Sequence, residues 1–197
     1  MTTILIARHG ETDWNRERRF QGHADPPLNE LGRQQAHELA EALAGSDIAA
    51  VYASPLARAR ETAEIVAAAL ELPVETRAAL REVDVGSWQG LTRDEVEERF
   101  PEGFRRWLDN FDHGWEDGES YDELGQRVVA DLLRLAARHP GERILVVTHG
   151  GAMRATQAAA SETDYAGARR LSGPFANCAI LVFAVESERL RRVDSDP

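Results

Sequence analysis

Two histidines stand in matching surroundings. His9 closes the run Ile4-Leu5-Ile6-Ala7-Arg8, His149 closes Ile144-Leu145-Val146-Val147-Thr148, and each is followed by a glycine, Gly10 or Gly150. An imidazole nitrogen can attack phosphorus directly, and a neighbouring glycine lets backbone amides approach a ligand closely. Gly150-Gly151 also opens a helix, whose first N–H groups and dipole favour an anion. Arg8 lies beside His9, and Arg58 opens the helix that follows Ser54-Pro55. Guanidiniums stay charged and grip phosphate oxygens in a bidentate fork. Two imidazoles and two guanidiniums converging at one sheet edge describe a phosphate pocket.

Other readings of the same residues stand beside this one. A strand-end histidine is commonly a structural hydrogen-bonder, and a histidine pair can hold a metal. A catalytic zinc takes three protein ligands, whereas His23, His37, His113 and His139 fall in helix or loop contexts without ligand spacing. No metal is therefore expected. Arg60 belongs with Glu61 and Glu64 to a solvated helix face.

The elements that must bring these side chains together can be read from pattern. Both apolar runs lack alternation, as strands covered by helices on both faces do. In open α/β sheets, ligands bind beyond the carboxyl ends of the parallel strands, where both histidines fall. Helices are expected over residues 29–44, with Leu31, Leu39 and Leu43 on one face and a stop at Gly45, and over 56–70, 120–138 and 151–160. Ser120 and Glu123 form a capping box for the third of these. Further strands are expected at 49–53, 73–76, 178–185 and 189–193. Alternating strands and helices give the α/β class: a three-layer sandwich with a mostly parallel central sheet and helices on both faces.

Residues 1–197 read as a single domain without repeat or long linker. The segment 86–119 differs in being rich in aromatics (Trp88, Phe100, Phe104, Trp107, Phe111, Trp115), with a short helix starting at Thr92 and capped by Glu95. It reads either as a small lid insertion over the sheet edge or as a satellite core packing a loop. Trp14 and Phe20 near the mouth admit the same two readings.

Composition narrows the function classes. Lys and Arg number 23 against 34 Asp and Glu, a formal charge of −11. Such a surface disfavours nucleic acid and anionic lipid as main partners. The single Cys178 cannot form an internal disulfide or supply a Cys-based zinc site, so a reducing cytoplasm is the expected compartment. The apolar start at residues 2–7 is too short for a signal sequence and runs into Arg8-His9, and no run reaches the length of a membrane span. A P-loop, an HExxH helix, an EF-hand loop and a G-x-S-x-G elbow are all missing.

The segment Arg8-His9-Gly10-Glu11-Thr12-Asp13-Trp14-Asn15 resembles the RHGxTxxN signature of the histidine phosphatase superfamily, in its phosphoglycerate mutase-like branch. The likeness continues through Gln21-Gly22, Leu28-Asn29-Glu30-Leu31-Gly32-Arg33, Ser54-Pro55-Leu56-Ala57-Arg58-Ala59-Arg60-Glu61-Thr62, Leu80-Arg81-Glu82 and Thr148-His149-Gly150-Gly151. The resemblance implies that His9 is the nucleophile, forming a phosphohistidine. It implies that Arg8, Arg58 and His149 hold the transferred group, with Asn15, Gln21, Gly22 and Gly150 completing the phosphate site. Glu82 would protonate the leaving alcohol and then activate water. Composition alone does not separate Glu82 from the other carboxylates; its place in Leu80-Arg81-Glu82 does.

Within the resemblance, the chain lacks the longer insertion and the basic Arg-Arg-x-x-x-x-Pro-Pro type segment of the mutases. Gly86-Ser87-Trp88-Gln89-Gly90 and Asp117-Gly118-Glu119-Ser120 are instead similar to the phosphatase subgroup. The implied activity is metal-independent hydrolysis of small phosphomonoesters, with no cofactor and a small phosphorylated metabolite as partner. The alternatives are a cofactor-dependent phosphoglycerate mutase and a non-catalytic phosphate-binding module. A homodimer is left open.

Overall fold

The two apolar runs become neighbouring parallel strands in the middle of a six-stranded sheet, β1 (Thr2–Arg8) beside β4 (Arg143–Thr148). The computed structural model describes residues 1–109 and 113–193, so Phe111 lies outside the described residues. After β1 come α1 (Asp13–Arg16), α2 (Glu30–Ala42), β2 (Ile48–Ala53), α3 (Ala57–Ala69) and β3 (Val74–Thr76). Then follow α4 (Arg93–Arg99), α5 (Pro101–Asp109), α6 (Tyr121–Arg138), β4, α7 (Gly150–Ala160), α8 (Tyr165–Leu171), β5 (Ile180–Glu186) and β6 (Arg189–Arg192). The strand order is β3-β2-β4-β1-β5-β6; the first four run parallel, β5 pairs antiparallel with β1, and β6 pairs antiparallel with β5.

Strand geometry explains why both runs are apolar throughout. Ile4, Ile6, Ile144 and Val146 face one side and pack on Leu124, Val128 and Leu132 of α6 and Met153 of α7. Leu5, Ala7, Leu145 and Val147 face the other and pack on Leu39, Leu43 and the Ala59, Ala63, Val66 row of α3. Each fully buried aliphatic side chain of this kind contributes roughly 1.5–3 kcal/mol relative to exposure. Both faces are covered, which makes the three layers.

The structure departs from the sequence reading in a few places. Leu31 is 45% exposed, and α2 instead buries Gly32, Ala36, Leu39 and Ala40. At about 100° per residue, Leu31 sits roughly a third of a turn away from the middle of that face. The strand expected from residue 178 starts at Ile180, because Cys178 has φ +57° and belongs to the turn before it. Helices α5 and α8 were not foreseen, and neither was the single turn α1.

Helix α2 locks the loop that carries the first histidine. Its N-cap Asn29 accepts from the Gly32 amide at 2.8 Å, while the Asn29 amide and Nδ2 donate to the Glu11 carbonyl and carboxylate at 3.0 and 2.9 Å. The backbones touch: a Cβ on Gly32 would overlap the Glu11 carbonyl oxygen, and one on Gly10 would overlap that of Gly32. Gly32→Ala should therefore destabilise the fold by about 1–3 kcal/mol despite the better helix propensity of alanine. Urea unfolding measures this, and a neutral or stabilising change would show that the contact gives way easily.

Candidate active site

Strand register assembles the site. Arg8 lies opposite Thr148, the His9 amide donates to the Thr148 carbonyl at 3.0 Å, and the Ser54 amide donates to the Val147 carbonyl at 3.0 Å. The ends of β2, β4 and β1 thus deliver Ser54, His149 and His9 side by side. The two imidazole rings are 5.2 Å apart, and His149 Nε2 is 2.8 Å from Ser54 Oγ.

His9 is buried, and its Nδ1 sits 2.6 Å from the Gly10 carbonyl oxygen. A carbonyl only accepts, so Nδ1 carries the hydrogen and the neutral ring keeps its lone pair on Nε2. Burial, then the Arg58 and Arg8 charges, hold the His9 pKa well below its usual value. Burial, followed by Arg58, His9 and Arg8, does the same to His149. Both rings are neutral at neutral pH. Asn177, which the sequence reading did not single out, donates from Nδ2 to the His9 carbonyl at 2.9 Å and so fixes the loop from the β5 side.

Around the histidines the phosphate-site candidates meet as follows. Arg58 is fully buried and donates through Nη1 to the Ala24 carbonyl and through Nη2 to the Gly22 carbonyl, at 2.8 and 2.9 Å. Gly22 makes this turn with φ +53°, and a Cβ there would crowd Val85. Burial lowers the Arg58 pKa to about 10, which leaves it charged at neutral pH. Burial lowers Arg8 too, with Glu82 pulling it back up. Arg8 Nη1 donates to the Phe175 carbonyl at 2.5 Å. Asn15 spends its Oδ1 on the Thr12 amide and hydroxyl, both at 3.1 Å, so its amide NH₂ is the end left for a ligand. Gly150 is the first residue of α7 and lies against Arg8. Among the described residues, Arg8 Nε, Arg58 Nε, Gln21 Oε1 and His149 Nδ1 are buried with no hydrogen-bond partner. Orphaned polar atoms are costly, and Arg8, Gln21 and Arg58 line one cavity.

Glu82 is brought to the same cavity of about 230 Å³ as His9, Asn15, Gln21, Gly22 and Arg58. Its carboxylate accepts from the Val83 amide at 2.9 Å and from the Gly151 amide in the first turn of α7 at 3.1 Å. Only glycine permits this approach, since a Cβ at 151 would overlap Glu82 Oε1. The loop bearing Glu82 is held by Arg127 of α6. That guanidinium forks onto Glu119 at 2.5 and 2.6 Å and donates to the carbonyls of Ala79, Arg81 and Glu82, each at 2.8 Å. His23 Nε2 reaches the Glu82 carbonyl at 2.9 Å, and Thr148 Oγ1 donates to the Leu80 carbonyl at 2.7 Å. Sequence reasoning missed Arg127 and His23 as positioning residues. In sequence Arg127 looks like any helix-surface charge, and only the folded loop around it shows its role.

The aromatic segment packs into the core and also reaches the site. Trp88, Phe104, Trp107 and Trp115 belong to the same core cluster as Leu124 and Leu132, while Trp107, Trp115 and Phe20 also wall the His9 cavity. Trp14 lines an adjoining hollow instead. Arg60 pairs with Glu64 at 3.5 Å on the surface. A larger hollow of about 840 Å³ beside β6 contains Glu162, Glu186 and Arg189 but no histidine. Among the described residues no three His, Cys, Asp or Glu side chains converge so as to hold a metal ion, and no helix is long and apolar enough to cross a membrane.

A mostly parallel sheet with two neutral imidazoles, the buried Arg58, the partly buried Arg8 and a helix N-terminus at its carboxyl edge makes an α/β protein with a candidate anion site. The chain belongs to the histidine phosphatase superfamily (branch 1), whose family model matches residues 4–195. It is 46% identical over 158 residues to phosphoglycerate mutase-like protein 4 of Arabidopsis thaliana, covering 77% of this chain and 67% of that one. It is 36% identical over 165 residues to phosphoserine phosphatase 1 of Hydrogenobacter thermophilus, covering 83% and 78%. The solved structure of YhfR from Bacillus stearothermophilus superposes with a TM-score of 0.89 at 34% identity, covering 98% of this chain and 95% of that one.

The Glu82 loop yields one expectation. Arg127→Met should destabilise the protein by about 2–4 kcal/mol and lower kcat by at least about tenfold, with a smaller change in KM. Unchanged kcat would show that the loop holds Glu82 without it. The buried neutral imidazoles yield another. Their folded pKa lies below the unfolded value of about 6.5, so the unfolded state binds more protons as pH falls through that value. Stability should then drop between about pH 7 and about pH 5, by up to about 1.4 kcal/mol per pH unit for each histidine. His9→Asn should flatten that slope in urea titrations, and an unaltered slope would show that His9 is protonated in the folded state.

Proposed function

We propose that this chain is a metal-independent phosphatase that hydrolyses small phosphomonoesters through a phosphohistidine on His9. The observation that carries the reading is the convergence of orphaned buried donors, Arg8 Nε and Arg58 Nε, on a histidine whose proton is tied to Gly10 and whose Nε2 lone pair is free. Membership of the histidine phosphatase superfamily and the relative named phosphoserine phosphatase support it.

In this scheme the phosphate dianion sits between Arg8, Arg58 and His149, with Asn15, Gln21, Gly22 and the Gly150 end of α7 completing the cradle. Nε2 of His9 attacks phosphorus in line; the N–P bond forms as the P–O bond to the leaving alcohol breaks, and protonated Glu82 gives that oxygen its proton. Glu82, now a carboxylate, takes a proton from water as the water oxygen attacks phosphorus, and the N–P bond returns its electron pair to His9. The arginines neutralise the equatorial oxygens throughout, a task that electrostatic clamps perform in phosphoryl transfer generally. The whole chain acts as one domain, with residues 86–119 as the lid, in a cytoplasmic setting.

The mutase reading is supported by the names of relatives, that of the Arabidopsis protein among them. A mutase must keep its phosphoenzyme waiting for a second hydroxyl, and so needs priming by a bisphosphate. Incubation with 3-phosphoglycerate, followed by phosphorus NMR, should show inorganic phosphate as the main product. Isomerisation to 2-phosphoglycerate that outruns phosphate release would install the mutase. Quenched enzyme should carry acid-labile, alkali-stable phosphate, and His9→Ala should abolish both label and turnover; phosphate on another residue type would reject the mechanism.

A further inference from the structure

Ser54 and His149 are both fully buried, and the Ser54 hydroxyl oxygen lies 2.8 Å from Nε2 of His149. The proposed reaction uses the imidazole and leaves the hydroxyl idle. Ser54 follows the last residue of β2, and its amide donates to the Val147 carbonyl of β4 at 3.0 Å. The Leu56 amide, two residues further on, donates to Ser54 Oγ at 3.3 Å, a turn that serine side chains make with their own backbone. His149 follows the last residue of β4 and is the N-cap of α7.

These contacts decide where the hydrogens sit. Ser54 Oγ already receives the Leu56 amide, and its one other hydrogen-bond partner among the described residues is His149 Nε2. If Nε2 carried the hydrogen, Oγ would receive two donors and its own hydrogen would be buried without an acceptor, a costly arrangement. The hydroxyl therefore donates to Nε2, and a neutral imidazole then keeps its hydrogen on Nδ1. The ring is neutral, as burial and then the Arg58 charge hold its pKa well below the usual value. Nδ1 is itself buried without a partner among the described residues, and the first amides of α7 do not donate to it. The His149 and His9 ring centres lie 5.2 Å apart, so this unpaired donor stands next to the ring that would receive the phosphoryl group.

Resting on the phosphatase reading above, we infer that Ser54 is a positioning residue: its hydroxyl donates to Nε2 of His149 and so holds the imidazole hydrogen on Nδ1, where it meets an oxygen of the phosphoryl group during transfer. His149 is then a neutral donor and not a base, and neither it nor Ser54 gains or loses a proton in the reaction. The other tautomer would turn a lone pair toward the phosphate oxygens, and repulsion would replace attraction. A histidine held in the wrong tautomer loses its function even when its position is unchanged. A donor fixed in advance costs no reorganisation as charge develops.

Nitrogen NMR of the wild-type chain with isotope-labelled histidine tests the tautomer directly, because the protonated and bare nitrogens of a neutral imidazole resonate far apart. The spectrum of His149→Asn identifies the ring's signals. Nδ1 of His149 should be the protonated nitrogen at neutral pH; hydrogen on Nε2, or on both nitrogens, overturns the inference. Ser54→Ala should shift the ring toward the Nε2–H form, weaken binding of inorganic phosphate by about tenfold in calorimetry, and lower kcat by about 10- to 100-fold. Ser54→Cys, whose thiol is a weak donor, should fall between the two and reports even if the alanine variant folds poorly. A tautomer unmoved by these substitutions would reduce Ser54 to packing, and one that moves without loss of phosphate affinity or kcat would strip the Nδ1 hydrogen of its role; either result overturns the inference. Wild-type enzyme with its hydrogen on Nδ1 that binds phosphate but hydrolyses no ester would refute the phosphatase reading and keep the role of Ser54.

Discussion

Parallel pairing of β1 with β4 is the constraint on which everything else in this molecule rests. With Arg8 opposite Thr148 and the His9 amide on the Thr148 carbonyl, the two strands end together and their next residues are both histidines. A slip by one residue would turn every side chain of β1 to the other face of the sheet, exchanging the Ile4 and Ile6 packing on α6 and α7 for that of Leu5 and Ala7 on α2 and α3. Register is therefore enforced by two cores at once. The same pairing that buries the apolar runs places the imidazoles 5.2 Å apart.

The electrostatic cost of the arrangement is concentrated where the chemistry is proposed. Arg58 is fully buried with its Nε unpartnered, Arg8 has the same unpaired atom, and His149 keeps an orphaned Nδ1. The buried carboxylate of Asp131, 1% exposed, is by contrast partnered, accepting from both Arg77 Nη2 and Nε, at 2.5 and 3.1 Å. The contrast separates a structural ion pair from charges arranged for a ligand. The close contacts Gly10–Gly32 and Gly151–Glu82 supply the rigidity that keeps such strained electrostatics in place.

Positioning of Glu82 depends on Arg127 in α6, a residue that does not line the His9 cavity. Arg127 collects three main-chain carbonyls and the Glu119 carboxylate around one guanidinium, tying the 79–82 loop to α6 and to the end of the aromatic segment. Because Trp88, Trp107 and Trp115 share the α6 core, the walls of the cavity move only if that core does. The cavity walls are thereby groups with structural partners, among them Trp107, whose Nε1 donates to the Tyr121 hydroxyl at 3.0 Å.

What the sequence determined by itself was local or carried by long patterned runs. The unbroken apolar runs before His9 and His149 specified buried parallel strands; Asn29, Thr92 and Ser120 announced helix starts through their own capping chemistry. The octet from Arg8 to Asn15, with Arg58, Glu82 and His149, specified the family. Adjacency was not legible, because hydrogen-bond register between strands some 140 residues apart has no local signature. The tertiary structure alone decided that His9 Nδ1 faces the Gly10 carbonyl, that Leu31 points to solvent while Gly32 is crushed against Glu11, and that Arg127 encloses the Glu82 loop. It alone brought Ser54 Oγ within 2.8 Å of His149 Nε2. A charge on a helix has the same sequence signature whether it faces water or a ligand, and only packing settles which.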